Sequence, residues 1–66
     1  MSNENQKEFK YANLINFVID KEAKMLIIEK WLKKRKEWFP LFHIFINNEV
    51  IDLIQQLAEE LEKFRE

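Results

Sequence analysis

The sequence has no cysteine, no glycine and no threonine, and one residue each of proline, serine and histidine. Each shortage excludes something. Without cysteine there is no disulfide frame and no thiolate metal site. A chain without glycine has no glycine-rich phosphate loop and lacks the residue that most tight hairpin turns prefer. Ser2, the sole hydroxyl nucleophile apart from Tyr11, stands in a polar leader, so serine, cysteine and threonine catalysis is ruled out. One histidine cannot build a histidine-rich metal centre. No catalytic residue, metal ligand or cofactor site is expected, and the chain reads as a non-enzyme.

Long apolar runs are missing too. Met1 to Lys10 (MSNENQKEFK) has none and does not read as a secretory leader. The longest run, Trp38 to Ile46, is interrupted by Pro40 and His43 and falls far short of the roughly 20 residues of a spanning helix. The absence of cysteine agrees with a reducing compartment, so a cytoplasmic protein is expected.

What remains is apolar, aromatic and charged. Of 66 residues, 47% are hydrophobic, with six Phe, two Trp and one Tyr, and the formal net charge is -1. A chain of this size is marginal as a lone domain, because small domains bury only about 60% of the surface their unfolded chains expose. Self-association is the one remaining staple, and a homodimer is the expectation.

Residues 1–66 form one small domain, with 1–6 polar and expected to fray. From Lys7 to Trp38 nothing punctuates the chain, and many residues are good helix formers, which predicts helix. Leu14, Ile15, Val18 and Ile19 gather on one side of a helical wheel. Met25, Ile28 and Leu32 gather on another, rotated by about a third of a turn. The segment is therefore one helix with two partners or a helix pair broken near Asp20, an N-cap candidate. Residues 39–46 fit a short buried helix or a buried strand. A lone strand lacks a partner, which favours the helix or a packed connector. Asn47 and Asn48 offer a helix start, and Val50, Ile54, Leu57, Leu61 and Phe64 follow at heptad spacing, predicting a helix over 49–65. The expected fold is all-α: a helical hairpin or three-helix bundle with a heptad-patterned C-terminal helix folded back on the preceding one. Lys21 and Lys24 would then face Glu59 and Glu62.

Two sets of residues could meet a partner. Trp31, Trp38, Phe39, Phe42 and Phe45 are more rings than a small core should need, and they suit a protein-docking surface. Lys33, Lys34, Arg35 and Lys36, flanked by Trp31 and Trp38, have the basic and aromatic character of a nucleic-acid surface. On a helical reading the simpler role of these four cations is to complement a helix C-terminus. His43, inside an apolar run, reads as a structural, hydrogen-bonded histidine. The leading expectation is a homodimeric protein-interaction module acting as regulator, inhibitor or adaptor. The alternative is a nucleic-acid binder using residues 31–38.

Overall fold

The computed structural model describes residues 5–66 and overturns the all-α expectation. Four strands, β1 (Gln6–Tyr11), β2 (Ile15–Asp20), β3 (Met25–Leu32) and β4 (Glu37–Phe45), are followed by one helix, α1 (Asn48–Glu62). The strands form an antiparallel meander in the order β1-β2-β3-β4. The helical hairpin, the three-helix bundle and the helix break at Asp20 are replaced by strands joined through three short reversals of the chain. The helix partner expected for α1 is instead β3, which lies between β2 and β4 and carries Met25, Ile28 and Leu32.

The physical reason is a period of two. Ile15, Phe17 and Ile19 alternate with Asn16, Val18 and Asp20 along β2, and Phe9 and Tyr11 alternate with Glu8 and Lys10 along β1. β-Branched and aromatic side chains favour the pleated backbone. The helical wheel had merged the two faces of β2 into one stripe.

Turns are made without glycine. Ala12, Lys24 and Lys36 take positive φ angles of 49°, 55° and 54°, which costs a non-glycine residue on the order of 1–2 kcal/mol. Local hydrogen bonds close each turn. The Leu14 N–H donates to the Tyr11 carbonyl at 3.1 Å, and the Lys36 N–H donates to that of Leu32 at 2.7 Å. In the middle turn, Asp20 Oδ1 accepts from the Glu22 and Ala23 N–H groups at 3.1 and 3.0 Å. Asp20 is thus a chain-reversal residue and no helix cap.

β4 is an edge strand, where proline is tolerated. Pro40 sits at a register irregularity: Ile28 pairs with Phe42 and Glu29 with Pro40, leaving Leu41 extra. The expectation of fraying over 1–6 meets two parts of the chain. Residues 1–4 lie outside the described residues. Gln6 belongs to β1, and the Asn5 carbonyl accepts from the Lys21 N–H at 2.6 Å.

Paired residues share a face, so the register defines two surfaces. The front face has rows Phe9-Phe17-Ile28-Phe42 and Tyr11-Ile15-Lys30-Phe39. The back face has rows Glu8-Val18-Ile27-His43 and Lys10-Asn16-Glu29-Pro40, with Trp31 opposite Trp38. The two buried described residues, Val18 and Asn16, are both on the back.

α1 begins where the sequence places it. Asn47, extended at φ -142°, accepts at Oδ1 from the Val50 N–H at 2.9 Å, and Glu49 supplies a negative charge to the first turn. The Ile46 N–H donates to the Lys24 carbonyl at 2.7 Å, which ties the helix start to the β2–β3 turn. The helix then lies on the front-face side, with an open apolar depression between it and Phe17, Ile19, Leu26 and Ile28. Among the described residues, no helix is long and apolar enough to cross a membrane.

Candidate functional site

The basic cluster lies on the β3–β4 turn, between the closing pair Leu32 and Glu37. No helix ends there, so the dipole explanation for Lys33, Lys34, Arg35 and Lys36 no longer applies. An acidic neighbouring helix is absent as well, since β3 and β4 flank the turn. Arg35 Nη1 lies 3.7 Å from Glu37 Oε1, both side chains more than half exposed, and such a pair contributes no more than about 1 kcal/mol. Lys21 and Lys24 do not pair with Glu59 and Glu62. In α1 the ion pairs are Lys63 with Glu60, at 2.9 Å, and Arg65 with Glu62. That carboxylate raises the Arg65 pKa further.

Lys30, Lys33, Lys34 and Arg35 surround an open concavity of about 460 Å³, whose apolar wall is Leu32 and Phe39. Phe39 is 45% exposed. It belongs to the front face, whose pleat also presents Tyr11, Phe9, Phe17 and Phe42 as exposed rings. Lys7 Nζ stands 5.9 Å above the Phe9 ring, a second cation beside an aromatic on the same face. Rings standing on a pleated sheet, edged by cations, can stack planar groups and hold anions at once.

The five rings singled out by sequence are divided between faces. Trp31 and Trp38 meet directly across the β3–β4 ladder, edge to face, with centroids 5.2 Å apart. They are half-buried and, with Phe45, belong to the back, while Phe39 and Phe42 belong to the front. The tryptophans therefore do not flank the basic concavity as a helix would have placed them. His43, expected to be structural and hydrogen-bonded within an apolar core, is exposed on the edge strand. Lys30, Phe9 and Tyr11 were missed by sequence reasoning, because only the strand register sets Lys30 beside Phe39 and places Phe9 and Tyr11 on the same face.

The back face has a polar centre. Asn16 is fully buried, and its Nδ2 donates to Glu8 Oε1 and to Glu29 Oε1, each at 2.9 Å. Lys10 Nζ lies 3.6 Å from the same Glu8 oxygen. Among the described residues, no group of three or more His, Cys, Asp or Glu side chains could hold a metal ion. A second depression, about 430 Å³ and apolar, separates Phe17, Ile19, Leu26 and Ile28 of the sheet from Ile51, Ile54 and Leu57 of α1. Comparison with known proteins finds no matching family model, no matching curated protein and no matching solved structure.

Proposed function

We propose that this chain is a small non-enzymatic nucleic-acid-binding protein. Single-stranded RNA or DNA would stack its bases on the front face, and Lys30 with the Lys33–Lys36 turn would hold the phosphates. One observation carries the reading: Lys30, Lys33, Lys34 and Arg35 converge on the exposed ring of Phe39, on the face that also presents Phe9, Tyr11, Phe17 and Phe42. The chain's slight overall acidity does not oppose it, because charge is segregated. Residues 5–45 hold nine Lys/Arg against five Asp/Glu, a net +4, while residues 46–66 hold two against six, a net -4.

The test is anisotropy with labelled 15-mer oligo-dT and oligo-rU across a salt series. Binding should weaken steeply with salt. Replacing Lys33, Lys34, Arg35 and Lys36 together by Gln should abolish most affinity and flatten the salt slope by about 3, at roughly 0.7 per phosphate contact for single strands. Phe39→Ala should cost about 1–3 kcal/mol for a stacked base. A duplex of the same length should bind more weakly. No binding at 50 mM salt overturns the reading.

The apolar depression between sheet and helix favours a second reading, a protein-interaction module acting as regulator, inhibitor or adaptor. In that case the quadruple Gln variant would fold and retain its protein partner, losing mainly association rate.

A further inference from the structure

α1 carries two apolar bands, and only one of them, itself 42–43% exposed at Ile51 and Ile54, is turned toward the sheet. Ile51 and Ile54 look toward Phe17, Ile19 and Ile28 across the groove. At 100° per residue, Leu53, Leu57, Leu61 and Phe64 form a second band, rotated from the first by roughly a quarter of a turn. These four side chains are 65%, 57%, 59% and 82% exposed, Leu57 being the one that also borders the groove. An exposed apolar stripe at spacings of three and four is a helix-packing pattern, and among the described residues α1 is the only helix.

We infer that the second band docks on the same band of a second copy of this chain, with the two α1 helices antiparallel about a twofold axis at Leu57. A twofold interface needs a self-complementary surface, and this one is self-complementary in register. Leu57 meets Leu57 of the second copy, Leu53 meets its Leu61, and Val50 meets its Phe64. The chain remains helical enough to reach Phe64, since the Lys63, Phe64 and Arg65 N–H groups donate to the Glu60, Leu61 and Glu62 carbonyls at 3.3, 3.0 and 3.0 Å. Charge agrees with the antiparallel sense. Glu49 near one end and Lys63 near the other fall on the same flank of the band, so each Glu49 approaches the second copy's Lys63.

Surface area points the same way. The chain exposes 6259 Å², whereas a compact monomer of 8.2 kDa should expose roughly 4,500 Å². The excess is about 1,700 Å², against the roughly 800 Å² that each partner loses in a standard interface. The inference does not depend on nucleic-acid binding, which would use the sheet around Phe39 and the basic turn rather than the outer side of α1.

Because the chain has no cysteine, single-cysteine variants report the register cleanly. Sedimentation equilibrium of the wild type at micromolar concentration should give twice 8.2 kDa. Leu57→Cys should close a disulfide-linked dimer under mild oxidation. Leu53→Cys alone should not, since its own copy lies about 12 Å away along the helix at 1.5 Å per residue. A mixture of Leu53→Cys and Leu61→Cys should cross-link. Leu57→Asp should weaken dimerisation at least about tenfold while strand circular dichroism and oligonucleotide binding per chain persist. A monomer at every concentration overturns the inference. So does a dimer in which Leu57→Cys stays unlinked, the result expected if copies join through the β1 edge or through the groove.

Discussion

The two faces of the sheet are built from the same four strands and do opposite things. On the back, Asn16 and Val18 are buried, Asn16 holds Glu8 and Glu29 together, and Trp31 packs edge-on against Trp38. On the front, Phe9, Phe17, Phe39 and Phe42 are 40–52% exposed, and α1 covers only the end nearest the β2–β3 turn. Rigid structure is concentrated on one side and unspent apolar surface on the other. A chain this short has too few residues to close both faces by itself, so the front-face rings that α1 leaves exposed are available for partners. Polar back-face contacts set the register that aligns the front-face rings with Lys30 and the basic turn.

The largest expected effect comes from breaking the back face at its centre. Asn16→Asp replaces the amide donor with a third carboxylate between Glu8 and Glu29. Losing the buried donor and gaining a like charge should cost about 3–5 kcal/mol at pH 7, the range for an uncompensated buried charge. The sign with pH follows from linkage. Burial and like charge raise the introduced carboxyl's folded pKa above its unfolded value of about 3.9, so stability falls as pH rises through that interval. Lowering the pH toward 4 should therefore restore much of the loss. Urea denaturation at pH 7 and pH 4 measures it, and equal destabilisation at both would mean that the carboxylates are not the cause.

A smaller effect compares the faces directly. Val18→Ala on the back should cost about 2 kcal/mol through lost burial and a residual cavity. Phe42→Ala on the front, although it removes a larger side chain, should stay within about 1 kcal/mol, as exposed positions do. Equal midpoint shifts would erase the distinction. Paired with the anisotropy assay, the same two variants separate structure from function: the front variant should lose oligonucleotide affinity and keep its fold.

α1 was legible in the sequence because two independent signals agree there, the Asn47 cap and a 3.6-residue apolar period. The sheet was hidden by its turns. Ala12, Lys24 and Lys36 occupy the left-handed positions where glycine or asparagine would have announced hairpins. Between those turns, lysine, glutamate, leucine and alanine imitate a helix. The alternation of Ile15, Phe17 and Ile19 was present but short. β3 is only partly covered on both faces, so Leu26, Ile27 and Ile28 show no alternation at all. For residues 39–46 no local pattern reveals a strand partner, and that partner is β3. The basic cluster and Phe39 were visible as residues. That Lys30 pairs with Phe39, and that Tyr11 shares its face, depends on register, which no local pattern encodes. Trp31 and Trp38, read as flanking the basic cluster seven residues apart on a helix, are instead direct neighbours across the β3–β4 ladder.

The smallest expected effect tests the turns that concealed the sheet. Lys36 sits at φ 54° with its N–H bonded to the Leu32 carbonyl. Glycine has no Cβ to clash in this region, so Lys36→Gly relieves on the order of 1–2 kcal/mol of backbone cost. Against this, glycine gives the unfolded chain more freedom, which costs about 0.4–1 kcal/mol. The net should be a stabilisation of about 0.5–1 kcal/mol, seen as a higher urea midpoint with an unchanged slope. Lys36→Ala, which keeps the Cβ and removes only the charge, should leave the midpoint nearly where it was. The pair therefore separates backbone strain from charge repulsion within the Lys33–Lys36 turn. If Lys36→Ala stabilises as much as Lys36→Gly, crowding of the cations is the source of the cost. The turn would then be held at an electrostatic expense that a bound phosphate would relieve.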